Sequence, residues 1–225
     1  MRLELFVLLL IVGILSSSAM AGAQNGSHDR YKGESQSNKE DLTAQQQFER
    51  GIAYSTGSGV EQSDLDAVRW IKRAAERNHA YAQFNLGEAY ANGVGVAQDY
   101  GLAVKWLTMA AKMDVTDAQV SLGLKYDSGL GVGQNKSEAV KWFRQAAELG
   151  NPHGQNNLAI AYALGEGVEQ SSIKAYAWFE LAKMNTQANI GVVAEAHQTQ
   201  ISQKMSLAEL SAARSLVEQW LLRIK

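Results

Sequence analysis

The sequence predicts an all-α solenoid of four helix-turn-helix repeats, each 36 residues long, followed by C-terminal capping helices. Three observations carry that prediction. Trp70, Trp106, Trp142 and Trp178 fall 36 apart, and so do Tyr54, Tyr90, Tyr126 and Tyr162. Gly-x-Gly-Val runs begin at Gly57, Gly93, Gly129 and Gly165 in the same register. Two glutamine columns, Gln47/83/119/155 and Gln62/98/134/170, complete five in-register columns without an insertion, which is how a solenoid reads in sequence.

The elements follow in order. Residues 1–23 read as an export signal: Arg2, an apolar run from Leu5 to Leu15, then Ala19-Met20-Ala21 and Ala21-Gly22-Ala23 as small-x-small cleavage sites. The run is about half the ~20 residues that a membrane-spanning helix needs, so membrane insertion is not expected after cleavage. An uncleaved anchor is the alternative, since Glu4 offsets Arg2. Residues 24–44 are polar, too poor in apolar groups to offset chain entropy, and read as a flexible leader. The repeats then occupy 45–80, 81–116, 117–152 and 153–188, and capping helices occupy 189–225.

Within each repeat the first helix carries small and apolar residues at helical spacing, as in Ala82, Leu86, Ala89 and Tyr90. It stops at the Gly-x-Gly turn, where glycine takes left-handed backbone angles without a Cβ penalty. The second helix starts after Ser63, Asp99, Asn135 or Ser171, all good N-caps. Its inner face repeats as Ala67, Trp70, Ile71, Ala74 and then Ala103, Trp106, Leu107, Ala110. Each tryptophan is expected to fill the space between helices, so that Trp106→Ala would cost about 3–5 kcal/mol. Gly51, Gly87 and Gly123 lie inside the first helices, where glycine costs about 1 kcal/mol against alanine. Its recurrence implies a crossing too tight for a Cβ, relaxed at Ala159. Ser206 to Glu209 form a capping box ahead of a stripe of Leu210, Ala213, Val217, Trp220 and Ile224, the mark of a helix that lids the last repeat.

Composition removes most chemistry. A net charge of −2 gives no electrostatic footprint for nucleic acid. The absence of cysteine excludes disulfides, thiolate zinc sites and thiol nucleophiles. His28, His79, His153 and His197 have no second ligand at metal spacing and read as solvated. The run from Gly129 to Ser137 resembles a phosphate loop only in outline, because Asn135 stands where its second glycine belongs and a helix precedes it. Arg69, Lys105 and Lys141 form a basic column that reads as a solvated face. No cofactor, metal or catalytic group is expected.

The motif Ala-x-x-x-Leu-Gly-x-x-Tyr-x-x-Gly-x-Gly-Val, followed by Ala-Val-x-Trp and Ala-Ala, resembles the Sel-one-like repeat, a relative of the tetratricopeptide repeat. Residues 82–111 and 118–147 match it nearly in full. Arg50, Tyr176 and Lys183 depart from it in the terminal repeats, as expected where one face meets solvent. The resemblance implies a right-handed α-solenoid whose first helices line a concave surface. By likeness to tetratricopeptide domains, two positions per repeat point into that surface: Phe48 and Ile52, Phe84 and Glu88, Val120 and Leu124, Asn156 and Ile160. The competing reading packs some of these between neighbouring first helices. Tyr81, Asn92, Asp117 and Asp127 would edge the groove.

The expected function is a monomeric protein-interaction scaffold, periplasmic or secreted, that takes a protein or peptide partner in a bacterial cell envelope. The alternatives are a cell-wall hydrolase or small-molecule binder, as described for β-lactam-binding cysteine-rich relatives, and a secreted adaptor directed at a host. This chain lacks the cysteines of those relatives.

Overall fold

The computed structural model of the protein describes residues 42–184 and 190–223. The export signal, the leader as far as residue 41, His28, residues 185–189 and Ile224 lie outside the described residues. Ten α-helices make up the described chain, with no strand among them. They are α1 (Ala44–Thr56), α2 (Asp64–Glu76), α3 (Ala80–Asn92), α4 (Tyr100–Ala111), α5 (Thr116–Ser128), α6 (Lys136–Glu148), α7 (Pro152–Leu164), α8 (Ser172–Met184), α9 (Ile190–Ser202) and α10 (Leu207–Arg223). Each first helix packs on its own second helix, and α2, α4 and α6 each pack on the first helix that follows. The chain is therefore an all-α solenoid, and α9 and α10 both close on α8.

The sequence columns explain the stacking. The first turn glycines, Gly57, Gly93, Gly129 and Gly165, sit in the left-handed region at φ 72°, 70°, 73° and 71° and end their helices. The second turn glycines have an additional role. A Cβ on Gly95 would collide with the carbonyl oxygen of Asp64, one on Gly131 with that of Tyr100, and one on Gly167 with that of Lys136. Each thus rests on the opening residue of the second helix in the preceding repeat. Gln62, Gln98, Gln134 and Gln170 hold the turn by donating from Nε2 to carbonyls seven residues back, at 3.0, 2.8, 2.8 and 2.8 Å. The N-cap backbone N–H of Ser63, Asp99, Asn135 and Ser171 donates to the carbonyl of the column tyrosine, Tyr54, Tyr90, Tyr126 or Tyr162. Their side chains accept from the first turn of the second helix.

Helix crossing within a repeat is as tight as the recurring glycine implies. A Cβ on Gly51 would lie 2.6 Å from Ile71 Cγ1, and one on Gly87 2.8 Å from Leu107 Cγ, both inside van der Waals contact. Between repeats, Gln83, Gln119 and Gln155 are buried and donate to the carbonyls of Ala75, Ala111 and Ala147, which closes the end of the preceding second helix. Asn78, Asp114 and Gly150, again 36 apart, take φ of 61°, 59° and 83°. Short polar side chains and glycine are the residues that accept this region.

The tryptophan column departs from expectation. Trp70 and Trp178 are buried, but Trp106 and Trp142 are half-buried and pack against the margins of the core. The largest fully enclosed apolar side chains are Leu86, Leu107, Leu122, Leu158 and Phe179. Leucine and phenylalanine fill the tight crossing, and the larger indole is displaced toward the outside. Removing a half-exposed ring leaves less cavity, so Trp106→Ala costs less than the 3–5 kcal/mol of a buried aromatic.

Candidate functional site

The eight positions predicted to point into a groove divide into two sets. Phe48, Phe84, Val120 and Asn156 are buried, with 6–8% of their surface exposed. Phe48 stacks on His79, the N-cap of α3, with ring centroids 4.6 Å apart, and Phe84 joins a core cluster with Val115, the N-cap of α5, and with Ala118 and Leu122 of α5. This column points along the stack toward the following repeat, so it is packing and not groove. Ile52, Glu88 and Ile160 are half-buried and Leu124 is 43% exposed, so this second column remains uncovered.

The uncovered face of the first helices follows the helical spacing i, i+4, i+7, i+11. In α1 these positions hold Gln45, Glu49, Ile52 and Thr56, and in α3 Tyr81, Asn85, Glu88 and Asn92. In α5 they hold Asp117, Ser121, Leu124 and Ser128, and in α7 His153, Asn157, Ile160 and Leu164. None of the sixteen is buried. The second row, with Asn85, Ser121 and Asn157, offers groups that donate and accept hydrogen bonds, and the third is apolar apart from Glu88. Sequence reasoning missed that polar second row, although three uncharged hydrogen-bonding residues at one repeat position were there to be read. Tyr81 and Asn92 are exposed and Asp117 half-buried on this face, as the expected edges. Asp127 is not an edge, because Lys136 binds both it and Glu166 of the next turn.

Glu49, Glu88 and Asp117 carry the only charged side chains of the sixteen. Each accepts a hydrogen bond from a neutral amide: Gln45 to Glu49 at 2.9 Å, Asn92 to Glu88 at 3.4 Å and Asn151 to Asp117 at 2.8 Å. The opposite character lies on the second helices, where Arg69, Lys72, Arg73, Lys105, Lys141 and Arg144 are exposed. Some of these are paired within their own helix, Arg69 with Asp66 and Lys141 with Glu138.

The rows extend into α9. Ala194 and Gln198 are buried 36 residues after Leu158 and Tyr162, so α9 keeps the register of a first helix. Val193 and Ala196 accordingly extend the second and third rows, with Val193 41% exposed. Val192 continues the Phe48 column, yet it is 71% exposed, because the helix that follows, α10, packs on α8.

The histidines differ from the solvated reading. His79, His153 and His197 are all half-buried, and burial lowers the pKa of each. His79 caps α3 by accepting from the Ala82 N–H and reaches Gln45 Oε1 at 2.8 Å, which ties α1 to the start of α3. Among the described residues no group of histidine and carboxylate side chains is placed to hold a metal ion, and no helix is long and apolar enough to cross a membrane.

Four consecutive segments, 47–79, 80–115, 116–151 and 152–186, match the family model described as Sel1 repeat. The chain belongs to the Sel1 repeat family. A Sel1 repeat protein from Oxalobacter formigenes is similar in structure, with TM-score 0.62 and 32% identity over 64% of this chain and 60% of that one. So is c5321, a protective antigen present in uropathogenic Escherichia coli strains and displaying an SLR fold, with TM-score 0.53 and 25% identity over 81% of this chain and 46% of that one. The chain thus spans less than two thirds of either neighbour. No curated protein sequence matches it. Sel1 repeats are scaffolds that mediate protein–protein interaction and are typically non-catalytic.

Proposed function

We propose that this Sel1 repeat protein is an exported, monomeric scaffold that holds a polypeptide segment of a partner on the uncovered face of its first helices, in a regulatory or assembly role in a bacterial cell envelope. The observation that carries the reading is the face itself. Four in-register helices leave sixteen positions uncovered, with a row of Ile52, Leu124 and Ile160, interrupted by Glu88, beside a row that after Glu49 carries the amide and hydroxyl groups of Asn85, Ser121 and Asn157. Apolar side chains of a bound segment fit the first row, and its peptide groups fit the second. Export rests on the apolar run and small-x-small pattern of residues 1–23.

The test is site-specific photocrosslinking in cells from Leu124 and Tyr81, both exposed on this face, with Leu65 on the second-helix side as control. Capture of one protein from Leu124 and Tyr81 but not Leu65, abolished by Leu124→Arg, is the expected result. Equal capture from Leu65, or capture indifferent to Leu124→Arg, overturns the face. Sequencing the mature N-terminus checks export separately: a start at Gly22 or Gln24 supports it and a start at Met1 contradicts it.

A further inference from the structure

The uncovered face is polarised along the solenoid, and that polarity specifies the segment that fits it. Repeats one to three each contribute one carboxylate, Glu49, Glu88 and Asp117, none of them paired with a lysine or arginine among the described residues. The fourth repeat and α9 contribute no charge to these rows. They present Ile160, then Leu164 at 42% exposure and Val193 at 41%. Resting on the functional reading above, we infer that the partner segment is bipolar: a cluster of lysine or arginine lies over repeats one to three and an apolar run over repeat four and α9.

Charge complementarity commits the occupant. Three uncompensated carboxylates repel an anionic segment and give a neutral one nothing to neutralise them. A cationic stretch gains from all three while its apolar continuation covers surface that water now meets. Length follows from geometry. Five first-type helices spaced about 8–10 Å apart span roughly 40 Å, which an extended chain rising about 3.3 Å per residue crosses in roughly 12 residues. The segment is therefore short, half basic and half apolar.

The experiment uses the purified mature protein and three fluorescein-labelled 12-residue peptides: six alternating Lys and Ser followed by six alternating Leu and Ala, the same peptide with Glu for Lys, and the same with Ser for Lys. Fluorescence anisotropy is read at low and high salt. The lysine peptide is expected to bind, more weakly as salt rises, and the glutamate peptide not to bind. The triple variant Glu49→Gln, Glu88→Gln, Asp117→Asn should weaken the lysine peptide roughly tenfold, at about 0.5 kcal/mol per exposed charge, and remove most of its salt dependence. Val193→Asp should weaken binding while leaving the salt dependence in place. Circular dichroism confirms that each variant is folded. Equal binding of the lysine and serine peptides, or a triple variant with unchanged affinity, overturns the bipolar segment. Crosslinking from Leu124 that survives in the triple variant keeps the face and rejects only its charge preference, whereas loss of face-specific crosslinking in the unsubstituted protein rejects the face itself.

Discussion

The two ends of the solenoid answer the same physical problem in different ways. A terminal repeat has one face with no neighbour, and apolar side chains there would meet water. At the N-terminal end, among the described residues, a single side chain marks the difference. Arg50 occupies the column that is otherwise Leu86, Leu122 and Leu158, and it lies over the Trp70 ring at 4.6 Å, with Arg73 at 4.7 Å on the same ring. Thr43 adds a capping box with Gln46 to begin α1. At the C-terminal end the answer is two helices. Trp220 of α10 packs on Trp178 with ring centroids 4.4 Å apart, while Ala213 and Val217 are buried. Between α8 and α9, Lys183 and Gln198 both donate to Glu180. Burial pushes that carboxyl up, but Gln198, Lys183 and Arg214 outweigh it and hold the pKa below its ordinary value. Among the described residues, one end carries a charge laid over a ring, the other added apolar mass. The C-terminal closure is the more extensive, yet it covers α8 and leaves Val192 of α9 in the open.

That contrast can be broken at either end. The largest effect is expected from Phe179→Ala, which empties a fully enclosed site beneath α9. It should cost about 3–5 kcal/mol in urea unfolding and speed amide exchange in α9 and α10 before the inner repeats. Uniform exchange across the chain would show that the closing helices are not held through α8. Next comes Gly123→Ala, whose Cβ would lie 2.5 Å from Phe143 Cε1. Overpacking of about 1–3 kcal/mol, less about 1 kcal/mol of helix propensity, gives a net change between about zero and a 2 kcal/mol loss. The reverse change, Ala159→Gly in the fourth repeat, should cost about 1–2 kcal/mol, from helix propensity and the loss of a buried methyl. Arg50→Ala removes the cation from Trp70 and should cost about 1 kcal/mol or somewhat more, read as a lower urea midpoint and a shift in Trp70 emission.

The smallest effect is on pH dependence. Burial depresses the folded-state pKa of His79, and Glu49 only partly opposes it. His153 and His197 are depressed by burial as well, and Asp117 partly opposes the shift at His153. A histidine that binds its proton less readily when folded favours the unfolded chain once protonation begins. Stability should thus be full above the ordinary histidine pKa of about 6.5 and decline as pH falls through it. A thermal midpoint lower at pH 5.5 than at pH 7.5 is the expected outcome, and a midpoint that rises on acidification contradicts it.

Much of the fold was legible in the sequence because it rests on residues with few substitutes. Glycine at positive φ, an N-cap oxygen and a glycine at a crossing tolerate little else, and each appears as a column. The surface was harder to read. Neighbouring positions on a helix differ by about 100°, so a face assigned by likeness can be one residue out, as it was for Phe48, Phe84, Val120 and Asn156. The signal that corrects it was available: Asn85, Ser121 and Asn157 share a position and are polar, which marks the uncovered side. Half-burial of Trp106 and Trp142 was not legible, because a tryptophan column has the same appearance whether its rings fill a crossing or lean on its edge. The left-handed Asn78 and Asp114 were also missed, because only Gly150 advertises that conformation.

The second glycine of each turn has a mechanical consequence. At Gly95, Gly131 and Gly167 the backbone of one repeat rests directly against the backbone of the one before, with no side chain between them to compress. These contacts act as hard stops along one edge of the stack. Adjacent repeats can hinge apart about that edge but cannot close further upon it. The solenoid is then a spring with unequal stiffness in its two bending directions, and any partner that alters its curvature does so by opening these contacts in series, one per repeat.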